Sequence, residues 1–367
     1  MPLINSLGTI SGRSFGLFST GGSTIPFNGF NTPALMNGST VSANMSAVAC
    51  NSSGLFVSVG FSSTLGPVSA ISTDGSTWTT PALITGGNSS TAMSAIACNS
   101  SGLFVAVGSN ATGSVYTTST DGLTWTTPAL MNGSNTSVVN NWGITVNSSG
   151  LFVAVGRTNS SLLIVYATST NGSTWTAPTS MPGTSTSYQM SSVAVNSSGL
   201  FVAIGYTGLY PIASTSTNGT TWSTIARTNA TGQQVATPAI ACNSSGLFVA
   251  IGPGGSFQNI PYYLTSTDGV TWSTPAAING TGVSGYATGI AVNRSGLFVV
   301  VGRLYSGTSS AFYAKSTDGI TWTTPVSIAA AATNPVFSTN CLTVSPIGLY
   351  VAVGSSSSGA PLYMKSN

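Results

Sequence analysis

The chain has 367 residues, of which 41% are hydrophobic and only 3% charged, with 7 Lys or Arg, 4 acidic residues and no His. A soluble domain usually carries about 25% charged residues, so hydroxyls, amides and backbone groups must supply the solvation here. The net charge of +3 is scattered along the chain. That excludes a basic nucleic-acid-binding patch, and the absence of His excludes the commonest general acid–base group.

In chain order, residues 1–27 come first. Met1-Pro2-Leu3-Ile4 has no basic run beside it and leads into no unbroken apolar stretch, so no secretory signal peptide is expected. Nor does any later run reach the roughly 18 apolar residues of a membrane-spanning helix. Ser11-Gly12-Arg13-Ser14-Phe15-Gly16-Leu17-Phe18 is Gly/Ser-rich with scattered apolar residues, a composition that cannot fold alone. It is expected to be an arm that docks on its own chain or joins a neighbouring copy into a homo-oligomer.

From residue 28 onward the sequence repeats. A segment of the form A-V-A-(C/V)-N-S-S-G-L-F-V-A-V-G recurs seven times, with its Leu at Leu55, Leu103, Leu151, Leu200, Leu247, Leu297 and Leu349. The intervals are 48, 48, 49, 47, 50 and 52 residues, a period that marks a radial or solenoidal array. Apolar residues alternate with period two, so the units are strands. In the second unit, strand a is Ala95 to Cys98, strand b is Leu103 to Val107 and strand c is Ser114 to Thr118. Between a and b stands Asn99-Ser100-Ser101-Gly102, a tight turn; after c comes Asp121-Gly122-Leu123-Thr124-Trp125, leading to strand d. Strand a sets Ile96 and Cys98 on one face and Ala95 and Ala97 on the other, a bulky and a small face suited to stacking sheet on sheet.

Six copies carry the Asp/Asn-Gly-x-Thr-Trp turn: Asp74 to Trp78, Asp121 to Trp125, Asn171 to Trp175, Asn218 to Trp222, Asp268 to Trp272 and Asp318 to Trp322. The seventh copy stops at strand c. Its missing strand d is found at the other end of the chain, where Asn28 to Gly38 matches Asp121 to Gly133. The fold expected is therefore all-β. It is a seven-bladed β-propeller over 28–367, built of four-stranded antiparallel blades and closed by an N-terminal strand that completes the last blade.

Ser-Thr-Asp-Gly-x-Thr-Trp resembles the Asp box of sialidases and related bacterial-neuraminidase-repeat propellers, and similar repeats occur in viral and phage fibre proteins. The resemblance covers residues 28–367 and implies a propeller turn. A sialidase of that family would need an arginine triad, a tyrosine nucleophile with a glutamate partner and an acid/base aspartate. This chain contains no Glu, and its four Asp residues all stand in turns or at their start. Paired carboxylates are absent, as are metal-ligand clusters, and Ser and Thr lack a base. No cofactor, no metal and no enzymatic activity are expected. Locally, the Asx side chain should accept turn N–H groups and the Trp should pack over its own hairpin.

Cys50, Cys98 and Cys242 exchange with Val at one repeat position, and Cys341 takes a small-residue position, so four buried free thiols are expected. Asn-x-Ser/Thr occurs 17 times, and Asn51, Asn99, Asn147, Asn196 and Asn243 are possible glycosylation sites as well as turn formers. The a–b and c–d turns lie on one rim. The other rim carries the variable b–c and d–a loops, the usual place for recognition. Trp142, Arg157, Tyr206, Tyr210, Tyr262, Arg303 and Tyr305 are its candidate ligand-binding residues, with Tyr188, Tyr286 and Phe337 also between strands d and a. Two roles are open to these aromatics: contact with glycans or protein subunits, or packing between blades. The function expected is a structural or adhesive module of a virion appendage or extracellular fibre. The alternatives are a monomeric carbohydrate-binding lectin of Asp-box type and a degenerate glycosidase.

Overall fold

The computed structural model describes residues 25–38, 41–131, 139–208, 210–228, 236–253, 260–278, 284–304, 311–328 and 337–367; for 38, 139–142 and 337–340 only the backbone is described. Strand-forming alternation and Gly-rich reversals produce seven four-stranded antiparallel sheets, each ordered a-b-c-d. Blade 2, for example, is Ala92–Cys98, Phe104–Asn110, Gly113–Ser119 and Ala129–Leu130. The a strands pack against one another around the axis. The d strands, two or three residues long, lie outermost. The architecture is a seven-bladed propeller. Among the described residues no helix is long and apolar enough to cross a membrane.

The ring closes as the repeat alignment requires. Ala34–Leu35 pairs with the third strand of blade 7, Pro361–Lys365, in the register Ala34↔Tyr363 and Leu35↔Leu362. The segment before it is held too: Asn31 N–H donates to Lys365 O at 2.9 Å and Asn367 N–H to Gly29 O at 2.9 Å. Across the join, Val48 N–H of blade 1 meets Cys341 Sγ of blade 7 at 3.4 Å. Residues 25–27, counted with the arm in the sequence, dock on this same ring. Ile25 N–H donates to Ile347 O at 2.7 Å, and Phe27 is buried edge-on to Tyr313 and Tyr350 at 5.4 Å each. The arm's remaining residues, 1–24, lie outside the described residues.

Bulky and small faces pack between blades as the alternation predicts. Ile96 and Cys98 join the core shared with blade 1; Ala95 and Ala97 join that shared with blade 3. All four cysteines are free and buried. Burial pushes the Cys98 and Cys242 thiols up to about 12, far from a reactive thiolate.

The c–d turns do more than cap a hairpin. Trp125 Nε1 donates to Gly122 O within its turn at 2.9 Å, and also to Ser69 Oγ of blade 1 at 3.0 Å. Other tryptophans lie against a tyrosine on the third strand of the preceding blade: Tyr116 with Trp175, Tyr166 with Trp222, Tyr263 with Trp322, and Tyr363 with Trp78 across the closure, with ring centroids 5.8–6.3 Å apart. The Trp is thus an inter-blade rivet as well as a hairpin cover. Gly122 serves both ends: its φ is +72°, and a Cβ there would stand 2.5 Å from Val57 of blade 1.

Candidate functional site

The two rims are built by different rules. On the turn rim, each Asn of the a–b turns is used by its own loop. Asn99 Oδ1 accepts Ser101 N–H, the Ser101 hydroxyl and Leu103 N–H at 3.1, 2.8 and 2.9 Å. The same three bonds recur at Asn51, Asn147, Asn196 and Asn243. All five possible glycosylation sites therefore sit in this one turn geometry.

In the c–d turns the acids are committed likewise. Asp121 Oδ1 accepts Thr124 N–H at 2.7 Å, Leu123 N–H at 2.8 Å and the Ser119 hydroxyl at 3.0 Å. Thr124 N–H is the largest influence holding the carboxyl down at about 2, against the opposing effect of burial, with Leu123 N–H and two hydroxyls assisting. At Asp74 burial acts upward, but the Thr77 and Ser76 N–H groups and two hydroxyls outweigh it and hold the carboxyl at about 2. Asp268 and Asp318 are lowered by the same combination. Asn171 and Asn218 take the same two N–H bonds without a charge. Among the described residues no three His, Cys, Asp or Glu side chains gather as a metal site.

The opposite rim is shaped by a β-bulge. In six blades the register of strand a slips near its start, as between Met93 and Ala95. The bulged carbonyl faces a Gly on strand b. A Cβ on Gly108 would lie 1.9 Å from Ala92 O, and on Gly205 1.8 Å from Gln189 O. That Gly does not end the strand. Strand b runs on, and its next residue is Phe61, Ser109, Arg157, Tyr206, Pro253, Arg303 or Ser355 around the ring.

Several residues read as loop are consequently on strands. Arg157, Tyr206 and Arg303 close b strands, in Phe152–Thr158, Phe201–Thr207 and Phe298–Leu304; Tyr210 and Tyr262 open c strands, in Tyr210–Ser216 and Pro261–Ser266. Trp142, Tyr188, Tyr286 and Phe337 are in a strands rather than between sheets. The Trp142 side chain and the whole of Tyr305 lie outside the described residues.

Blade 4 carries three of the candidates, Tyr188, Tyr206 and Tyr210. Its strands are Tyr188–Val195, Phe201–Thr207, Tyr210–Ser216 and Ala226–Arg227. Cross-strand register puts Tyr188, Thr207 and Tyr210 in one row. These residues and Arg227, opposite Ile212, share the face turned to blade 3, because Ile212 and Tyr188 pack with Val153 and Val155. Arg227 is exposed, and its guanidinium carbon lies 4.2 Å from the Tyr210 ring centroid. Arg157 follows Val153 and Val155 on the face of blade 3 that looks back at blade 4; its Nη2 donates to Thr186 O at 3.4 Å. Arg157 Nε is shut from solvent without an acceptor, a state that costs about 1–3 kcal/mol. Nearby, the Tyr206 hydroxyl donates to Gln189 Oε1 at 2.8 Å. Burial pushes the Tyr206 phenol up, with the Arg157 charge pulling the other way.

The structure thus puts Tyr188, Tyr210 and Arg227 on the face of blade 4 turned to Arg157 of blade 3, sets Tyr206 and Gln189 on the opposite face of blade 4, and leaves Arg303 beside Tyr286 on blade 6 and Tyr262 on blade 5. Arg227 and Gln189 were missed. The signal for Arg227 was available: the aligned d-strand residues are Leu83, Leu130, Ser180 and Ala277, so it is a lone charge in an uncharged column.

No known protein-family model matches the sequence, and no curated protein matches it. Solved structures do match the fold. The BP39L lectin from Burkholderia pseudomallei aligns at TM-score 0.59 and 12% identity, covering 89% of this chain and 98% of that one. A PL25 ulvan lyase aligns at 0.61 and 10% identity over 92% and 93%. The Hadza microbial sialidase Hz136 aligns at 0.50 and 13% identity over 89% and 66%. At such identities the likeness is one of fold: a propeller shared by a lectin, a lyase and a sialidase.

Proposed function

We propose that this protein is a non-enzymatic, structural or adhesive propeller with Asp-box-type turns. It is carried on a virion appendage or extracellular fibre and contacts glycans or protein subunits through the variable rim. The observation that carries this is the fate of its acids. The chain's four carboxylates are each held in a turn by two backbone N–H groups, so they stay ionised near neutral pH and are occupied as acceptors. A general acid needs the opposite, a raised pKa and a free proton.

Fractionating native particles and identifying proteins by mass spectrometry tests the placement. Co-purification with an appendage supports it, and recovery only as a soluble intracellular protein overturns it. Hydrolysis or elimination of any glycoside by the purified chain overturns the non-enzymatic part. A second reading, a monomeric lectin, is favoured by the Arg and Tyr side chains gathered on blade 4. Light scattering separates the two: an oligomer assembled through the 1–27 arm favours the fibre, a glycan-binding monomer the lectin. Intact mass on the native protein reads whether the five turn asparagines carry glycans.

A further inference from the structure

Among the described residues, the six Lys and Arg and the four acids are not mixed over the surface. Asp74, Asp121, Asp268 and Asp318 are in c–d turns. On that same half stand Arg294, in an a–b turn, and Lys315 and Lys365, near the c–d ends of their strands. The opposite rim carries Arg157, Arg227 and Arg303. It has no carboxylate, since the chain's four acids are all accounted for elsewhere. A strand of about seven residues separates the rims by about 20 Å, and charges further apart than about 8 Å are largely screened at physiological salt. Arg157 and Arg227 therefore have no acidic counterpart within electrostatic reach on their own rim.

We infer that the groove between blades 3 and 4 binds an acidic carbohydrate through its carboxylate or sulfate groups, at Arg157 and Arg227. The inference rests on the recognition role proposed for this rim. Two features make the groove, rather than the rim at large, the site. Arg227 is laid over the Tyr210 ring, and stacking leaves the in-plane N–H fork of a guanidinium free for a planar anion. Arg157 makes one long bond, to Thr186 O at 3.4 Å, and keeps Nε–H without an acceptor. An anionic oxygen entering the groove would pair with the free fork of Arg227 and with Nη1 of Arg157, which Thr186 leaves unused. Tyr188, half-exposed on the same face, offers a ring for the sugar's apolar side.

The test uses the full chain and short defined oligosaccharides in a calorimeter: a heparin-derived tetrasaccharide as the sulfated arm, an oligogalacturonate as the carboxylated arm, and a cello-oligosaccharide as the neutral arm. At least one anionic arm should bind and the neutral arm should not. Arg157→Gln and Arg227→Gln should each weaken binding about tenfold or more, the usual cost of losing a charge-assisted pair. Arg303→Gln, on the same rim three blades away, and Arg294→Gln, on the other rim, should leave it within about twofold. Arg157→Lys keeps the charge and should fall between wild type and Gln. Thermal melts of each variant identify any that fail to fold. Equal binding of the neutral arm, equal loss in Arg303→Gln, or no binding by either anionic arm overturns the inference. Particle fractionation tests the adhesive role separately and is unaffected by these outcomes.

Discussion

The two rims are opposite ends of the same strands, yet they obey different constraints. On the turn rim nearly every polar side chain is spent locally. Asn99 takes three donors from its own loop, and Asp121 two backbone N–H groups from its own. Repetition follows, because each blade must solve the same reversal with the same atoms. On the other rim the bulge fixes the backbone and leaves the next side chain unconstrained. Phe, Ser, Arg, Tyr, Pro, Arg and Ser occupy that position in turn. Copies that are alike report the scaffold, and copies that differ mark where a ligand or partner can be chosen.

That contrast presumes a closed ring, and the harshest way to break it is to remove the closing strand. Deleting residues 1–38 takes away the partner of Pro361–Lys365 and the Phe27–Phe30 wedge between blades 6 and 7. The exposed sheet edge would then pair with other chains. The expected result is loss of the soluble monomer, read by light scattering on a sizing column. A fully monomeric, cooperatively melting truncation would remove closure from the account.

Next in size is the rivet. Trp175→Ala empties a buried site that touches both its own turn and Tyr116 of blade 2, at a centroid distance of 6.3 Å. Large aromatic truncations in a core cost about 3–5 kcal/mol, measured by urea unfolding. Tyr116→Phe keeps the ring and removes only the hydroxyl's bond to Ser173 O, so it should cost about 1 kcal/mol. Comparable losses from the two would mean that the hydrogen bond, not the stacked rings, joins the blades.

These residues also show how far the sequence could be read. Seven Leu-centred copies and a stray Asn28–Gly38 segment specified blade count and closure, since a repeat that lacks one strand at one end must find it at the other. The Tyr116–Trp175 contact was not legible in the same way. Periodicity defines the unit but not how each unit is offset against the next, and the two residues belong to different copies. The site suffered from the opposite error. Gly205 looked like a strand end, when it is the position that lets the Gln189 carbonyl approach. Arg157 and Tyr206 therefore lie on strands, not in the loops expected of them.

The bulge itself can be tested with one methyl group. Gly108→Ala would set a Cβ 1.9 Å from Ala92 O. Since that contact is backbone against backbone, relief requires moving strand a. A loss of about 3 kcal/mol is expected, as for an overpacked core. A tolerated Ala would show that the rim's geometry is not imposed by this contact.

The smallest effect separates charge from hydrogen bonding on the turn rim. Asp121 is held at about 2, below the ordinary carboxylate value of about 3.9. The folded state thus prefers the ionised form. That contribution is fully present above about pH 4 and is lost as pH falls through 2. Asp121→Asn keeps the acceptor oxygen, as Asn171 does with Ser173 and Thr174 N–H at 2.9 and 2.8 Å. At neutral pH the change should stay within about 0.5 kcal/mol, the range of exposed substitutions. Between pH 4 and 2 the variant should lose less stability than wild type, because one fewer carboxylate takes up a proton. Melting curves across that interval decide it. Parallel curves would mean that the Asp121 charge adds nothing to an acceptor that neutral Asn supplies equally well.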